Sequence, residues 1–511
     1  MPLPPPPPPP EPFPPAAPLS WTPPPAPAWG APPAWQPPPE RHPRHVQLLG
    51  IAIAVVLLLG FAGVVVRRLH DSGPAHPDAW DPRVADIAAF VEKTRGHTFD
   101  HPVYVDFLTA DEYTKATTDK SSGLTAADKT KLDQYAGELR ALGVGSGKID
   151  LFTAYNQVAD SGTLAYYDPE TKRVRVRGKE LTPGLRVTLA HELTHALQDQ
   201  TFDLSAVKDP SDPEAATAFR ALVEGDAMRV EDAYRADELS EKEQTDYDAE
   251  YQHEVDESQA ATSDVPDYVA ATFQAPYALG RPFVRLLANA GGNARIDKAF
   301  AHPPTTGEHL FDPASYLAGE GQKDVDLGVR SPVDAGRFGP VDWFLVLSER
   351  IDPKRALTAT LGWNGGAYAA HLEDGKVCIT TAFVGDTEKD EQEMQQALEE
   401  WAASMPAGDP KVIDVHGHPG MTSCDPGPQT DMHVRGLSTV DLNLPALWSY
   451  LEADATRYLT STQSRCYAGQ VVHGLTNAQI FDPAGKAFQG AAFQKDLESA
   501  LKACTLKGQT S

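Results

Sequence analysis

The chain has 511 residues, 41% of them apolar, which is enough for several domain cores and excludes a small disulfide-stapled mini-protein. Its formal charge is −27 at neutral pH. Residues 1–70 carry Glu11 and Glu40 against four arginines, so residues 71–511 hold −29. A body of that sign repels phosphate backbones, which argues against nucleic acid as a partner.

The prolines are unevenly spread: 22 of the 46 lie in the first 43 residues. Such a stretch lacks amide donors for a ladder or helix, so residues 1–45 read as a disordered, polyproline-like tail. Trp21, Trp29 and Trp35 could anchor that tail on a partner, which nothing in the sequence names. Leu48 to Val66 then runs 19 residues without a charge, long enough to cross a bilayer core. The expectation is one transmembrane helix over residues 46–68, contacting membrane lipid, with a linker over 69–82. Arginines flank the apolar run on both sides, so charge does not orient it. The four cysteines Cys378, Cys424, Cys466 and Cys504 do. They are even in number and none is spaced like a metal knuckle. Sequential pairing, Cys378 with Cys424 and Cys466 with Cys504, implies an oxidising exterior. The expected placement is a single-pass cell-membrane protein with a cytoplasmic tail and an extracytoplasmic body.

Beyond the linker, Val84 to Lys93 has helical apolar spacing, Val103 to Leu108 alternates like a strand, and residues 123–143 read as a polar helix. Leu164 to Gly178 is two alternating runs joined by Asp168-Pro169-Glu170-Thr171, a hairpin. Thr182-Pro183 starts a helix to about Gln200, with Thr182 as N-cap and Pro183 at the first helical position. A second helix runs from near Pro213 to Ala236, and further helices with Pro-rich turns continue to about Gly339. Ala367–Leu372, an Asp374-Gly375 turn, Val377–Phe383 and a helix from Glu388 to Ser404 mark a change of pattern. The expected fold is α+β, with a zincin-like metallopeptidase domain over 83–339 and a smaller α/β accessory domain over 340–511.

The chemistry sits in His191-Glu192-Leu193-Thr194-His195. Two imidazoles four residues apart lie on one helix face and can converge on an ion. The acid beside the first is turned about 100° aside, toward a metal-bound water. Zinc is the expected cofactor, and it requires a third ligand from elsewhere. Glu224, in the apolar run Ala221-Leu222-Val223-Glu224-Gly225-Asp226-Ala227, is favoured, because a buried acid needs a partner and Gly225 lets another backbone approach. Glu214 is the rival, although a carboxylate in a first helical turn is also explained by the helix dipole. Asp226 is a candidate to orient a ligand imidazole.

The strings LAHELTHALQDQ, YYDPETKRVRV and RALVEGDA resemble the gluzincin metallopeptidases over roughly residues 85–330. They resemble most closely bacterial membrane-tethered or secreted members with a Glu-Gly-Asp/Glu-Ala third-ligand helix. The resemblance implies His191, His195 and Glu224 as zinc ligands, Glu192 as general base and a peptide or protein substrate. The 29-residue interval from His195 to Glu224 exceeds that of the best-known gluzincins. Tyr277 is the candidate for stabilising the transition state, set against a half-buried tyrosine at a helix start.

Strand Arg173–Arg177 could pair with an extended substrate, and its arginines could meet acidic side chains or simply be solvated. Asp414-Val-His416-Gly-His418 has ligand types at close spacing, but the flanking Gly and Pro favour a surface loop. Two other functions stand beside peptide hydrolysis. One is an inactive zincin-like binding scaffold; the other is a zinc amidase acting on a cell-envelope polymer.

Overall fold

The computed structural model describes residues 76–118, 125–161, 164–204, 212–482, 485, 488 and 491–506. The Pro-rich tail and the expected span over 46–68 lie outside the described residues. Among the described residues no helix is long and apolar enough to cross a membrane. The fold class is corrected accordingly to mixed α+β without a described membrane helix, and single-pass membrane placement has no support in the structure.

The first part builds the small sheet and its cover. It comprises α1 (Ala85–Arg95), β1 (Tyr104–Leu108), α2 (Ala110–Thr117), α3 (Ala126–Ala141), α4 (Leu151–Asp160), β2 (Ala165–Asp168) and β3 (Arg173–Arg177). β3 is central, parallel to β1 and antiparallel to β2, which leaves β2 on an edge. Four long helices follow: α5 (Pro183–Phe202), α6 (Pro213–Glu238), α7 (Glu241–Ala261) and α8 (Asp267–Ala301). α5 starts as its sequence dictates. The Thr182 hydroxyl accepts from the Leu185 amide and Pro183 occupies the first turn. α8 continues through Pro276 and Pro282 and breaks only at Gly291-Gly292, where the backbone leaves helical values.

Two short helices, α9 (Glu308–Phe311) and α10 (Pro313–Ala318), lead to β4 (Asp334–Arg337). Next come α11 (Pro340–Ser348), α12 (Pro353–Thr360), β5 (Trp363–Glu373), β6 (Lys376–Gly385), α13 (Glu388–Ser404), β7 (Lys411–Val415) and β8 (His418–Cys424). The β5–β6 turn places Asp374 and Gly375 at positive φ, 48° and 76°, as an Asp-Gly hairpin turn requires. The second sheet is antiparallel in the order β4-β5-β6-β8-β7. The chain closes with α14 (Ser438–Asp441), α15 (Asn443–Ala455), α16 (Ser461–Gly474), α17 (Asn477–Ile480) and α18 (Ala491–Leu506). Cys378 and Cys424 face each other across β6 and β8 and are disulfide-bonded, and Cys466–Cys504 staples α16 to α18.

Two apolar clusters hold these elements. The smaller joins α1, the first sheet, α5 and the C-terminal half of α6, with Val174, Val176, Leu189 and Leu193 fully buried. The larger draws Leu222 of α6 and Phe283 of α8 together with Trp343, Trp363 and Trp401, so it runs across residue 340 without a break. α6 therefore serves both cores, and the polar face it turns toward α5 lies between them.

Candidate metal centre

α5 and α6 place the site. The apolar residues Leu185, Leu189, Leu193 and Leu197 seat α5 in the smaller core, which leaves His191 and His195 on the face turned to α6. α6 is positioned by a close crossing with α8. A Cβ on Gly225 would lie 2.2 Å from the Gly280 carbonyl oxygen, and one on Gly280 would lie 2.2 Å from that of Ala221. Only glycine at both positions permits this approach, and it carries the neighbouring Glu224 to the histidines.

The three candidate ligand atoms converge. His191 Nε2 and His195 Nε2 lie 3.0 Å apart, and each is 3.3 Å from Glu224 Oε2. Donors about 2.0–2.2 Å from a tetrahedral metal lie roughly 3.3–3.6 Å from one another, so the three fit a single ion with little adjustment. Glu224 Oε2 is also buried without a hydrogen-bond partner, which leaves an acceptor for a cation. Burial opposes the charge of Glu224, yet His195, His191 and then Arg220 outweigh it and hold the carboxyl well below its usual range. Burial likewise disfavours a charged His191, but the carboxylates of Glu224 and Glu231 hold its pKa well above the ordinary histidine value.

Each imidazole is oriented from behind. His191 Nδ1 is 3.0 Å from Glu231 Oε2, and His195 Nδ1 is 3.0 Å from Gln198 Oε1. Asp226 does not touch an imidazole. It accepts from Gln198 Nε2 at 3.0 Å and pairs with buried Arg95 at 2.7 Å, so it acts on His195 through Gln198. Sequence reasoning missed Glu231 and Gln198. The available signals were spacings: Glu231 is two helical turns beyond Glu224, and Gln198 is one turn beyond His195.

Glu192 stands beside the candidate ligands, 8% exposed. Its Oε2 accepts the backbone amide of Tyr167 at 2.6 Å. Burial raises its pKa, and His191 and His195 pull against that rise. Tyr167 is anchored a second time, since its hydroxyl donates to Asp199 Oδ2 at 2.6 Å. Edge strand β2 is thereby fixed alongside the site.

The remaining candidates separate. Tyr277 is in the interior of α8 rather than at a helix start. Its hydroxyl accepts from Arg220 Nη2 at 3.3 Å, and Arg220 Nε lies 3.4 Å from Glu224 Oε1, which brings the phenol to the site. Burial, then Glu224, keeps that phenol protonated. Glu214 is elsewhere: its carboxylate accepts the Gly307 amide and packs on Gly339. Arg173, Arg175 and Arg177 are each neutralised, by Asp106, Asp168 and Asp160. β3 is paired on both sides and offers no edge to a substrate, so that expectation moves to β2. His416 and Gly417 form the positive-φ turn between β7 and β8, and His418 bonds Glu391 at 2.7 Å. The grouping of His371, Glu373 and Cys378 is unfit for a metal because Cys378 is in a disulfide.

Comparison with family models, with curated proteins and with solved structures finds no match for this chain.

Proposed function

We propose that the protein is a zinc-dependent metallopeptidase. The observation that carries the reading is the convergence of His191 Nε2, His195 Nε2 and Glu224 Oε2 with Glu192 held beside them. A purely structural metal has no use for an acid fixed next to its ligands, which weighs against an inactive scaffold. Zinc, when bound, supplies Lewis-acid polarisation and acidifies water. The chain's own residues do the rest. Tyr167 occupies Glu192 Oε2, so Oε1 takes the proton of the attacking water and returns it to the leaving amine. Raised by burial, that carboxyl is the better suited to hold the proton between the two steps. The Tyr277 hydroxyl donates to charge developing on the carbonyl oxygen.

Edge strand β2 favours an extended peptide as the substrate. Its ladder with β3 turns Leu164, Tyr166 and Asp168 inward and leaves the Ala165 backbone and the Tyr167 carbonyl on the outer side, where a strand can add, the Tyr167 amide being taken by Glu192. A cleft of about 530 Å³ lies at the Leu164 end of β2, lined by Asp160, Ser161, Arg177, Glu254 and Ser258.

The test is metal content and hydrolysis of a peptide library by the wild type, His191→Ala, Glu224→Ala and Glu192→Gln. One zinc per chain is expected in the wild type, weakened or lost in the first two variants. Glu192→Gln should keep zinc and lose roughly 10²–10⁴-fold in kcat/KM. A wild type that binds no zinc overturns the reading, as does full activity in Glu192→Gln.

A further inference from the structure

A second cluster of acids lies outside the site, at the junction of α9, the loop after α10 and the β6–α13 turn. One carboxylate oxygen each from Glu308, Glu320 and Asp386 lies within 4.8 Å of the other two. Glu308 is 4% exposed, and its Oε2 has no hydrogen-bond partner among the described residues. Behind these three stand Asp312 and the fully buried Glu452, with Arg465 as their shared cation. Arg465 pairs with Asp312 and, at 3.3 Å, with Glu320. It makes no ion pair with Glu308 or Asp386. Three of the five carboxylates thus share one guanidinium, and the buried Oε2 of Glu308 has no hydrogen-bond partner. Burying an ionised carboxylate is costly without a partner. Arg465 pairs with Asp312, Glu320 and Glu452 but not with Glu308 or Asp386, so a cation seated among the three acids would find an oxygen free to bind it.

The scaffold that carries the acids is fixed. His309, next to Glu308, bonds the Glu320 carbonyl at 3.1 Å. The Lys323 amide bonds the Asn364 carbonyl at 2.6 Å, and the Asn364 side chain donates to Asp386 Oδ1 at 2.8 Å. The Asp386 amide in turn bonds the Gly362 carbonyl at 2.8 Å. The segments that carry the three acids are therefore tied to one another by contacts that do not depend on an ion.

We propose that Glu308, Glu320 and Asp386 bind a calcium ion that ties α9, the loop after α10 and the β6–α13 turn together. The donor set is all oxygen, which selects a hard cation over zinc. Calcium–oxygen distances of about 2.3–2.6 Å place ligand oxygens at most roughly 5 Å apart, which the cluster satisfies. Calcium also accepts the irregular shell that side chains from three separate segments provide, whereas magnesium demands near-ideal octahedral geometry.

The full chain, saturated with zinc, is titrated with CaCl₂ by calorimetry, and its unfolding midpoint is followed with Ca²⁺, Mg²⁺ or EGTA. Wild type and His191→Ala should both bind one Ca²⁺ and gain roughly 3 °C or more in midpoint. Glu308→Gln and Asp386→Asn should lose the binding and the gain. Burial and the neighbouring Asp386, Asp312 and Glu320 push the Glu308 carboxyl up to about 9, so the neutral Gln reproduces the metal-free side chain and keeps the fold. Asp386 is exposed, and its variant decides the matter alone if the first does not fold. No binding at millimolar Ca²⁺, binding that survives both substitutions, or an equal effect of Mg²⁺ at the same concentration overturns the proposal.

Discussion

Glu231 is the residue on which the orientation of His191 depends. Its carboxylate fixes the Nδ1 side of the ring at 3.0 Å, which points Nε2 at Glu224 and His195. Burial opposes the charge of Glu231, and His191 more than compensates, so the acid stays ionised below its usual range. Glu231→Gln keeps the shape and removes that charge. Its zinc affinity is expected to fall by about 10–100-fold, with the fold intact, as read by competition with a chromogenic chelator. An unchanged affinity would show that the ring is held by packing alone. At this scale the grouping of the candidate ligands was legible in sequence because helical spacing is rigid: His191 and His195 had to share a face. Glu231 and Asp226 were harder to place, because their partners come from packing between helices. Asp226 is drawn to Gln198 and Arg95 by burial, and nothing in the sequence around Asp226 shows that Arg95 is near.

At the scale of elements, the site is a property of how α5, α6 and α8 pack. Gly225 and Gly280 bring two backbones to a distance at which a methyl group on either would meet a carbonyl oxygen. Gly225→Ala should therefore push α6 away from α8 and cost about 1–3 kcal/mol in unfolding free energy. It should also lower zinc stoichiometry, because Glu224 moves with the backbone. Denaturant unfolding and metal content of the same preparation check both, and a variant as stable as wild type with full zinc would show that the crossing tolerates displacement. The helix starts and the hairpins were readable because caps, Pro at the first turn and Asp-Gly turns act locally. Strand order was not. Arg173–Arg177 alternates as an edge strand would, yet its arginines project to Asp106, Asp168 and Asp160 while β1 and β2 flank it. The parallel pairing with β1 joins residues about 70 apart in the chain. Tyr277 was likewise misplaced at a helix start, because Pro276 reads locally as a helix beginning, whereas tertiary packing carries α8 through it.

For the molecule as a whole, Glu214 matters more than its rejection as a ligand suggests. It sits in the first turn of α6, accepts the Gly307 amide and packs on Gly339, so it clamps the helical part to the start of the second sheet region. Burial first, then Asp342, pushes its carboxyl up to about 8, against an ordinary 4.5. The folded chain thus holds a proton there that the unfolded chain releases above about pH 4.5. Stability contributed by this group is full below pH 4.5 and declines as pH rises toward 8, at about 1.4 kcal/mol per pKa unit of difference. Glu214→Gln should flatten that decline, standing higher in unfolding midpoint than wild type at pH 8.5 and close to it at pH 5. Parallel pH profiles for the two proteins would show the carboxyl to be ionised throughout. The division expected near residue 340 followed a real change in pattern, but the larger core crosses it, because α6 and α8 lend apolar faces to the tryptophans beyond. On the proposed function, that sharing separates the donors from the scaffold that positions them. Every proposed ligand lies between His191 and Glu224, so an excised α5–α6 hairpin would contain the full candidate donor set. It would lack Gly280, which seats α6, and Arg95, which holds Asp226. Such a hairpin is expected to coordinate metals with little discrimination, so the selectivity of the intact chain would be set by residues that never touch the ion.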